Sequence, residues 1–178
     1  MKILAFAGSN SSTSINKQLA VYAANLIENA EVQVLDLNDY EMPIYSAERN
    51  VENIPQQAHA FLKAIRESDA IVCSFAEHNG NFSSAFKNIF DWASRVNMKV
   101  FQDKPMLVMA TSPGGRGGKS VLGIAQQCLP YYGADIVESF SLPLFGDNFK
   151  EGKITNVALD NELKEKLKTF RIAIKSNI

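Results

Sequence analysis

The chain has 178 residues, 46% of them hydrophobic and 21% charged, with a formal net charge of −1. That length supports one domain with a sizeable core, expected to run over residues 1–178. The neutral total contains no basic run, which argues against a nucleic-acid surface or a dock on an anionic membrane. Met1 to Ala7 is too short for a signal-peptide core, and no apolar stretch reaches transmembrane length. The two cysteines, Cys73 and Cys128, lack metal-ligand spacing and read as buried free thiols, as in a reducing, cytoplasmic compartment.

Lys2 to Ala7 is a continuous apolar run without alternation, the pattern of a strand buried on both faces of a parallel sheet. A loop from Gly8 to Ser14 follows, and Ile15, Leu19, Tyr22 and Leu26 then recur at helical spacing. Val32 to Leu35 reads as the second strand, followed by an irregular packed run from Asp36 to Tyr45, a candidate subunit contact. A helix is expected from about Pro55 to Ser68, where His59 falls off the apolar stripe. Ala70 to Phe75 is the third strand, and Ser84 to Ser94 the helix after it, with Trp92 in the core or at an interface. Pro105 to Ala110 is the fourth strand, leading through a turn into a helix that ends near Tyr131. Ile136 to Phe140 is the fifth strand, and Asp160 is expected to cap a last helix with Leu163, Leu167, Phe170 and Ile174 on its face. Apolar strands alternating with helices predict a three-layer, doubly wound α/β domain with a five-stranded parallel sheet in the order 2-1-3-4-5.

In such a sheet, ligands bind outside the carboxyl ends of the strands, at the switch point. Three loops end strands there. The first, Ser9 to Ser14, offers hydroxyls from Ser9, Ser11 and Ser14, with the Asn16 amide, at a helix N-terminus. Free N–H groups and the helix dipole favour a phosphate at such a place, and the same serines also serve as a helix cap and turn. The second, Ala76 to Ser83, is a polar turn in which Gly80 lets the backbone approach a ligand. The third, Thr111 to Gly118, has four glycines able to expose successive N–H groups to a planar heterocycle. Gly118-Lys119-Ser120 imitates the end of a nucleotide-triphosphate loop, but Pro113 stands where that motif needs glycine. The first turn also lacks two of the three glycines of a dinucleotide fingerprint.

Taken together, the loops resemble those of the NADPH-dependent FMN reductase family, which has a flavodoxin-like fold and includes quinone, azo-dye and chromate reductases. Gly8-Ser9, Ser14 and Asn16 match the first motif, with Ser11 where an arginine is common. Glu77 and Asn79, then Lys87, Asn88, Asp91 and Trp92, match the second, with Ala76 replacing proline and His78 replacing tyrosine. Gly114, Gly115, Gly117 and Gly118 match the third.

By this resemblance, Ser9, Ser11, Ser14, Ile15 and Asn16 hold the phosphate of FMN. Glu77, His78, Asn79 and Gly80 border one side of the ring. Ser112, Gly114, Gly115, Arg116, Gly117 and Gly118 border another. No catalytic acid, base or nucleophile is required, because the flavin carries the chemistry. The implied activity is hydride transfer from NADPH or NADH to the flavin and on to a small electron acceptor, in a homodimer or homotetramer. Arg116 is a candidate contact for a nicotinamide-nucleotide phosphate. Two other functions share these residues: a flavodoxin-like FMN-binding electron carrier, and a family member whose flavin binding is weakened by Ser11, Ala76 and His78.

Overall fold

Strand β1 (Lys2–Gly8) is buried at every position after Lys2 because helices cover both of its faces. The computed structural model describes residues 1–177. After β1 come α1 (Ile15–Asn25), β2 (Glu31–Leu35), α2 (Ala47–Glu52), α3 (Gln56–Arg66) and β3 (Ala70–Phe75). A small hairpin, β4 (Glu77–His78) and β5 (Asn81–Phe82), precedes α4 (Ser84–Val96), β6 (Lys104–Thr111), α5 (Lys119–Cys128) and β7 (Ala134–Leu142). The chain closes with α6 (Phe145–Asn148), a second hairpin of β8 (Phe149–Lys150) and β9 (Lys153–Ile154), and the long α7 (Val157–Asn177).

The main sheet is parallel, in the order β2-β1-β3-β6-β7. Counting only its own strands, this is the predicted order 2-1-3-4-5. Alternate residues of each strand feed opposite layers. Ile3 and Ala5 pack with Leu19 and Ala23 of α1 and with Leu163, Leu167, Phe170 and Ile174 of α7. Leu4 and Phe6 pack with Phe61 and Ile65 of α3, Phe86 and Phe90 of α4, and Val121 of α5. Trp92 belongs to this second layer, with its indole N–H donating to the Pro43 carbonyl at 2.7 Å. His59 is exposed, as its place off the stripe predicts.

Several details differ from the sequence reading. Residues 47–52 form a helix capped by Ser46, whose hydroxyl accepts the Arg49 N–H; none of its side chains is buried, so it leaves no apolar periodicity. Helix α5 stops at Cys128 and continues as a 3-10 turn, Leu129–Tyr132. Of the two thiols only Cys73 is fully buried; Cys128 is half-buried, and both are free. The cap of α7 is Asn156, whose side-chain oxygen accepts from the Ala158 and Leu159 N–H groups at 3.1 and 3.2 Å. Asp160 instead accepts the Tyr22 hydroxyl at 2.6 Å and pairs with Lys164, tying α7 to α1.

Burial, then the hydrogen bond to Asp160 and that carboxylate's charge, push the Tyr22 phenol up to about 12. The folded state therefore favours the neutral phenol. Its contribution to stability is complete below pH 10.0, the ordinary phenol value, and is lost as pH rises towards about 12. Alkaline unfolding followed by circular dichroism checks this: the stability advantage of the native chain over Tyr22→Phe shrinks across that window.

Candidate functional site

Gly8 at the end of β1 lies beside Phe75 at the end of β3, and Phe75 lies beside Ala110 of β6. The three loops therefore leave the sheet side by side, around the switch point between β1 and β3. Gly8 has to be bare: a methyl group there would lie 2.8 Å from the Phe75 ring.

In the first loop the Ser9 hydroxyl accepts the Ser11 N–H at 3.2 Å, and the Ser11 hydroxyl accepts the Thr13 N–H at 3.3 Å. Ser14 caps α1 by accepting the Lys17 N–H at 3.1 Å. The main-chain N–H groups of Ile15 and Asn16, in the first turn, have no acceptor within the helix. These residues and Thr13 form one wall of a cavity of about 290 Å³. The cradle is electrically neutral. Lys17, the first cation of α1, is paired with Asp36. That hydrogen bond, with the Asn38 N–H next in importance, holds the Asp36 carboxyl below the usual carboxylate range.

Asn16 lines the cavity, but its side chain is a strap. Its carbonyl accepts from the Thr111 N–H at 3.0 Å and the Ser74 hydroxyl at 2.7 Å, and its NH2 donates to the Thr111 carbonyl at 3.2 Å. The amide expected to complete a phosphate cradle is thus committed to holding the ends of β3 and β6 against α1. What Asn16 offers the cavity most directly is its main-chain N–H.

The second loop is a hairpin. Asn79 and Gly80 have φ of 51° and 76°, the left-handed pair of a two-residue turn between β4 and β5. Gly80 is therefore fixed by the turn, and both residues are exposed beyond the cavity lining. Glu77 lines the cavity, but its carboxylate is already engaged. Its Oε2 accepts the Ser120 and Val121 N–H groups at 3.0 and 3.1 Å, at the N-terminus of α5. A carboxylate already occupies that helix end, which is therefore closed to a second anion. His78 is exposed and borders the cavity together with Ala76. Glu77→Gln keeps one acceptor and loses the charge at the helix end; the expected cost is about 1 kcal/mol. Thermal unfolding checks it as a drop of roughly 2–4 °C.

In the third loop the four glycines divide. Gly114 and Gly115 are exposed and would tolerate a methyl group without contact. Gly117 and Gly118 are buried, with φ of 60° and 73°. A methyl group at Gly117 would lie 2.5 Å from the Ser141 hydroxyl, and one at Gly118 2.7 Å from Ala110. The Gly117 N–H is spent on the Gly114 carbonyl at 3.2 Å. The expectation that all four present N–H groups to a ligand is corrected at Gly117, whose N–H is spent within the loop; Gly117 and Gly118 both pack closely, against β7 and β6. The loop is held from beyond β7, where the Leu144 and Phe145 N–H groups donate to the Gly114 and Ser112 carbonyls, each at 3.1 Å. Ser112, Pro113 and Thr111 complete the cavity wall. Arg116 is exposed, with Nη2 donating to the Ser120 hydroxyl at 2.8 Å.

Thr13, Ala76, Thr111 and Pro113 line the cavity without having been expected among the cofactor-binding residues. Thr13 sits in the hydroxyl run and was open to the same argument as its neighbours. The buried Thr111, whose hydroxyl donates to the Leu142 carbonyl at 2.7 Å, carries no local signal.

Unspent N–H groups and hydroxyls gather at the α1 end of the cavity; of the third loop, Thr111, Ser112 and Pro113 line it, while Gly114, Gly115 and Arg116, expected beside a ring, lie outside the lining. Fold and site together define a flavodoxin-like α/β protein with an uncharged cluster of hydroxyl and N–H groups at its switch point. The chain belongs to the NADPH-dependent FMN reductase family, which it matches over residues 1–146. It is 29% identical over 131 residues to an NADPH:quinone oxidoreductase of Arabidopsis thaliana, an alignment covering 71% of this chain and 65% of the relative. It is 32% identical over 119 residues to a 2-hydroxy-1,4-benzoquinone reductase of a Burkholderia species, covering 66% and 63%. The chain thus spans just under two thirds of the length of these relatives. Its fold is that of FerB, a flavoenzyme NAD(P)H:(acceptor) oxidoreductase of Paracoccus denitrificans, with a TM-score of 0.79, 23% identity and coverage of 99% and 98%.

Proposed function

We propose that this chain is an FMN-dependent NAD(P)H oxidoreductase that reduces a small acceptor such as a quinone or free flavin. The observation that carries the reading is the neutral cradle at the N-terminus of α1, in a cavity that Ala76 to His78 and Thr111 to Pro113 of the other two strand-end loops also line. Membership of the family and likeness to quinone reductases support it. Two-electron transfer between a nicotinamide and the acceptor is the chemistry that bound FMN supplies.

The chain's own residues bind and orient. The Ile15 and Asn16 N–H groups, with Ser9, Ser11 and Thr13, take the phosphate. The N–H groups of Gly114 and Gly115 meet the polar edge of the ring, where donors favour the extra negative charge of the reduced state. Glu77 and Asn16 hold these loops at a fixed separation, which is a positioning role.

The decisive experiment is an absorption spectrum of the purified chain with FMN, before and after anaerobic NADPH, followed by steady-state NADPH oxidation with a quinone. Bleaching followed by turnover supports the reading. Bound FMN without turnover identifies an electron carrier, and a protein that stays colourless after FMN addition and gel filtration has lost the flavin. Arg116 stands at the rim as the contact for a nicotinamide-nucleotide phosphate. Arg116→Ala should raise the NADPH KM about 5–20-fold, as expected for loss of a charge-assisted hydrogen bond; an unchanged KM removes the role.

Self-association is part of the proposal. Ile44 and Val51, 78% and 87% exposed, place apolar side chains on the segment after β2. Light scattering that gives a 19.6 kDa particle would overturn it. A cytoplasmic location is proposed from the two free thiols. No helix among the described residues is long and apolar enough to cross a membrane.

A further inference from the structure

At the end of the sheet opposite the three loops, the C-terminal halves of α3 and α4 border a recess of about 490 Å³, where the chain turns into β3 and β6. His59, Lys63 and Arg66 line it from one face of α3, at positions i, i+4 and i+7. Leu62 and Val96 give it apolar surface.

No carboxylate lines this recess. By contrast, the cavity at the three loops includes Glu77, the recess before α4 includes Glu41, and the one between α1 and α7 includes Glu28. Among the described residues the Arg66 guanidinium has no ion-pair partner. Lys63 meets only Glu67, at 3.8 Å, with both side chains more than half exposed and the pair correspondingly weak. Asp103, close by in the chain, is paired with Lys99 at 3.0 Å. The Leu62 and Arg66 carbonyls, whose dipoles would oppose an anion at this end of α3, already accept from the Gln102 Nε2 at 2.9 Å and the Lys104 Nζ at 3.3 Å. Two cations are therefore left without a close counter-charge in a concave setting. A phosphomonoester carries about −1.5 to −2 at pH 7 and matches them, whereas a monocarboxylate would leave one unmatched. The volume falls within the range of small-molecule pockets, about 300–1,000 Å³, with room for an organic body as well as the phosphate.

We propose that this recess is a second anion site, which takes the phosphate of a small phosphomonoester on Lys63, Arg66 and His59 and its apolar body on Leu62 and Val96. The site is independent of the oxidoreductase reading, since the α1 cradle is uncharged and lies at the far ends of the strands.

The test is titration of phenyl phosphate into the isotope-labelled full chain, with FMN present to fill the α1 cradle and again without it, followed by amide NMR. Shifts are expected in residues 56–66 and 96–102 in both titrations. Phenol, which lacks the phosphate, should leave these residues unshifted, and inorganic phosphate should bind them more weakly. Arg66→Gln should weaken phenyl phosphate binding about 10–100-fold, the value of one hydrogen bond to a charged group. Arg66 is exposed at the end of α3, so thermal unfolding of this variant should match that of the native chain. Val96→Glu, which puts a carboxylate into the lining, should weaken binding to a similar extent. The inference is overturned if residues 56–66 do not shift or only the α1 cradle does. It is overturned equally by unchanged affinity in both variants, by phenol or inorganic phosphate binding as tightly as phenyl phosphate, or by shifts that follow protein concentration instead of ligand. The last result would mark the recess as a contact between copies. If FMN fails to bind while phenyl phosphate still occupies the recess, the oxidoreductase reading falls and the second site stands.

Discussion

Gly117→Ala is expected to destabilise the protein by about 2–5 kcal/mol, although it adds a single methyl group. A left-handed backbone costs an alanine roughly 1–2 kcal/mol, and a crowded methyl roughly 1–3 more. The crowding is severe here because two of the atoms within 3.0 Å of the new methyl are main chain, at Pro143 and Leu142, and cannot rotate away. Thermal unfolding should fall by roughly 5–15 °C. Gly114→Ala and Gly115→Ala, four residues or fewer away in the same loop and facing open space, should stay within about 0.5 kcal/mol of the native chain. Equal losses at all of these positions would contradict the division of the loop into a packed half and an open half. On the proposed flavin reading, the two open-half variants should instead lower FMN affinity, by placing a methyl group beside main-chain donors assigned to the ring edge.

Asn16→Leu should cost about 3–5 kcal/mol. The substitution removes three buried hydrogen bonds at once and strands the Thr111 N–H, the Thr111 carbonyl and the Ser74 hydroxyl. Because Asn16 joins α1 to β3 and β6, FMN affinity should fall along with stability. Chemical denaturation and flavin titration measure the two effects. Ser74→Ala in the Asn16→Leu background removes one stranded hydroxyl, so the double variant should be more stable than the two single losses predict, by about 0.5–3 kcal/mol. Strict additivity would mean that the strap does not act as a unit.

Much of the architecture was legible in the chain. A parallel strand buried on both faces leaves an unbroken apolar run, and the runs at Lys2 to Ala7, Ala70 to Phe75 and Pro105 to Ala110 became adjacent strands β1, β3 and β6. The face of α7 was legible too, since Leu163, Leu167, Phe170 and Ile174 are all buried. Edge and linking elements were not. Helix α2 has no buried side chain, so nothing in its six residues repeats at helical spacing. The hairpin inside the second loop was open to detection from Asn79-Gly80, but its two-residue strands are too short to alternate.

The sequence by itself determined the layer order and the three strand-end loops, because burial on both faces and the glycine and serine content of turns are local properties. Which polar groups in those loops remain free was decided only by the tertiary structure. Glu77 meets the N-terminus of α5 across 43 residues, and Asn16 meets Thr111 across 95. A hydrogen bond between distant segments leaves no periodic trace in either one, so the same asparagine reads as a ligand donor in sequence and acts as a strap in space.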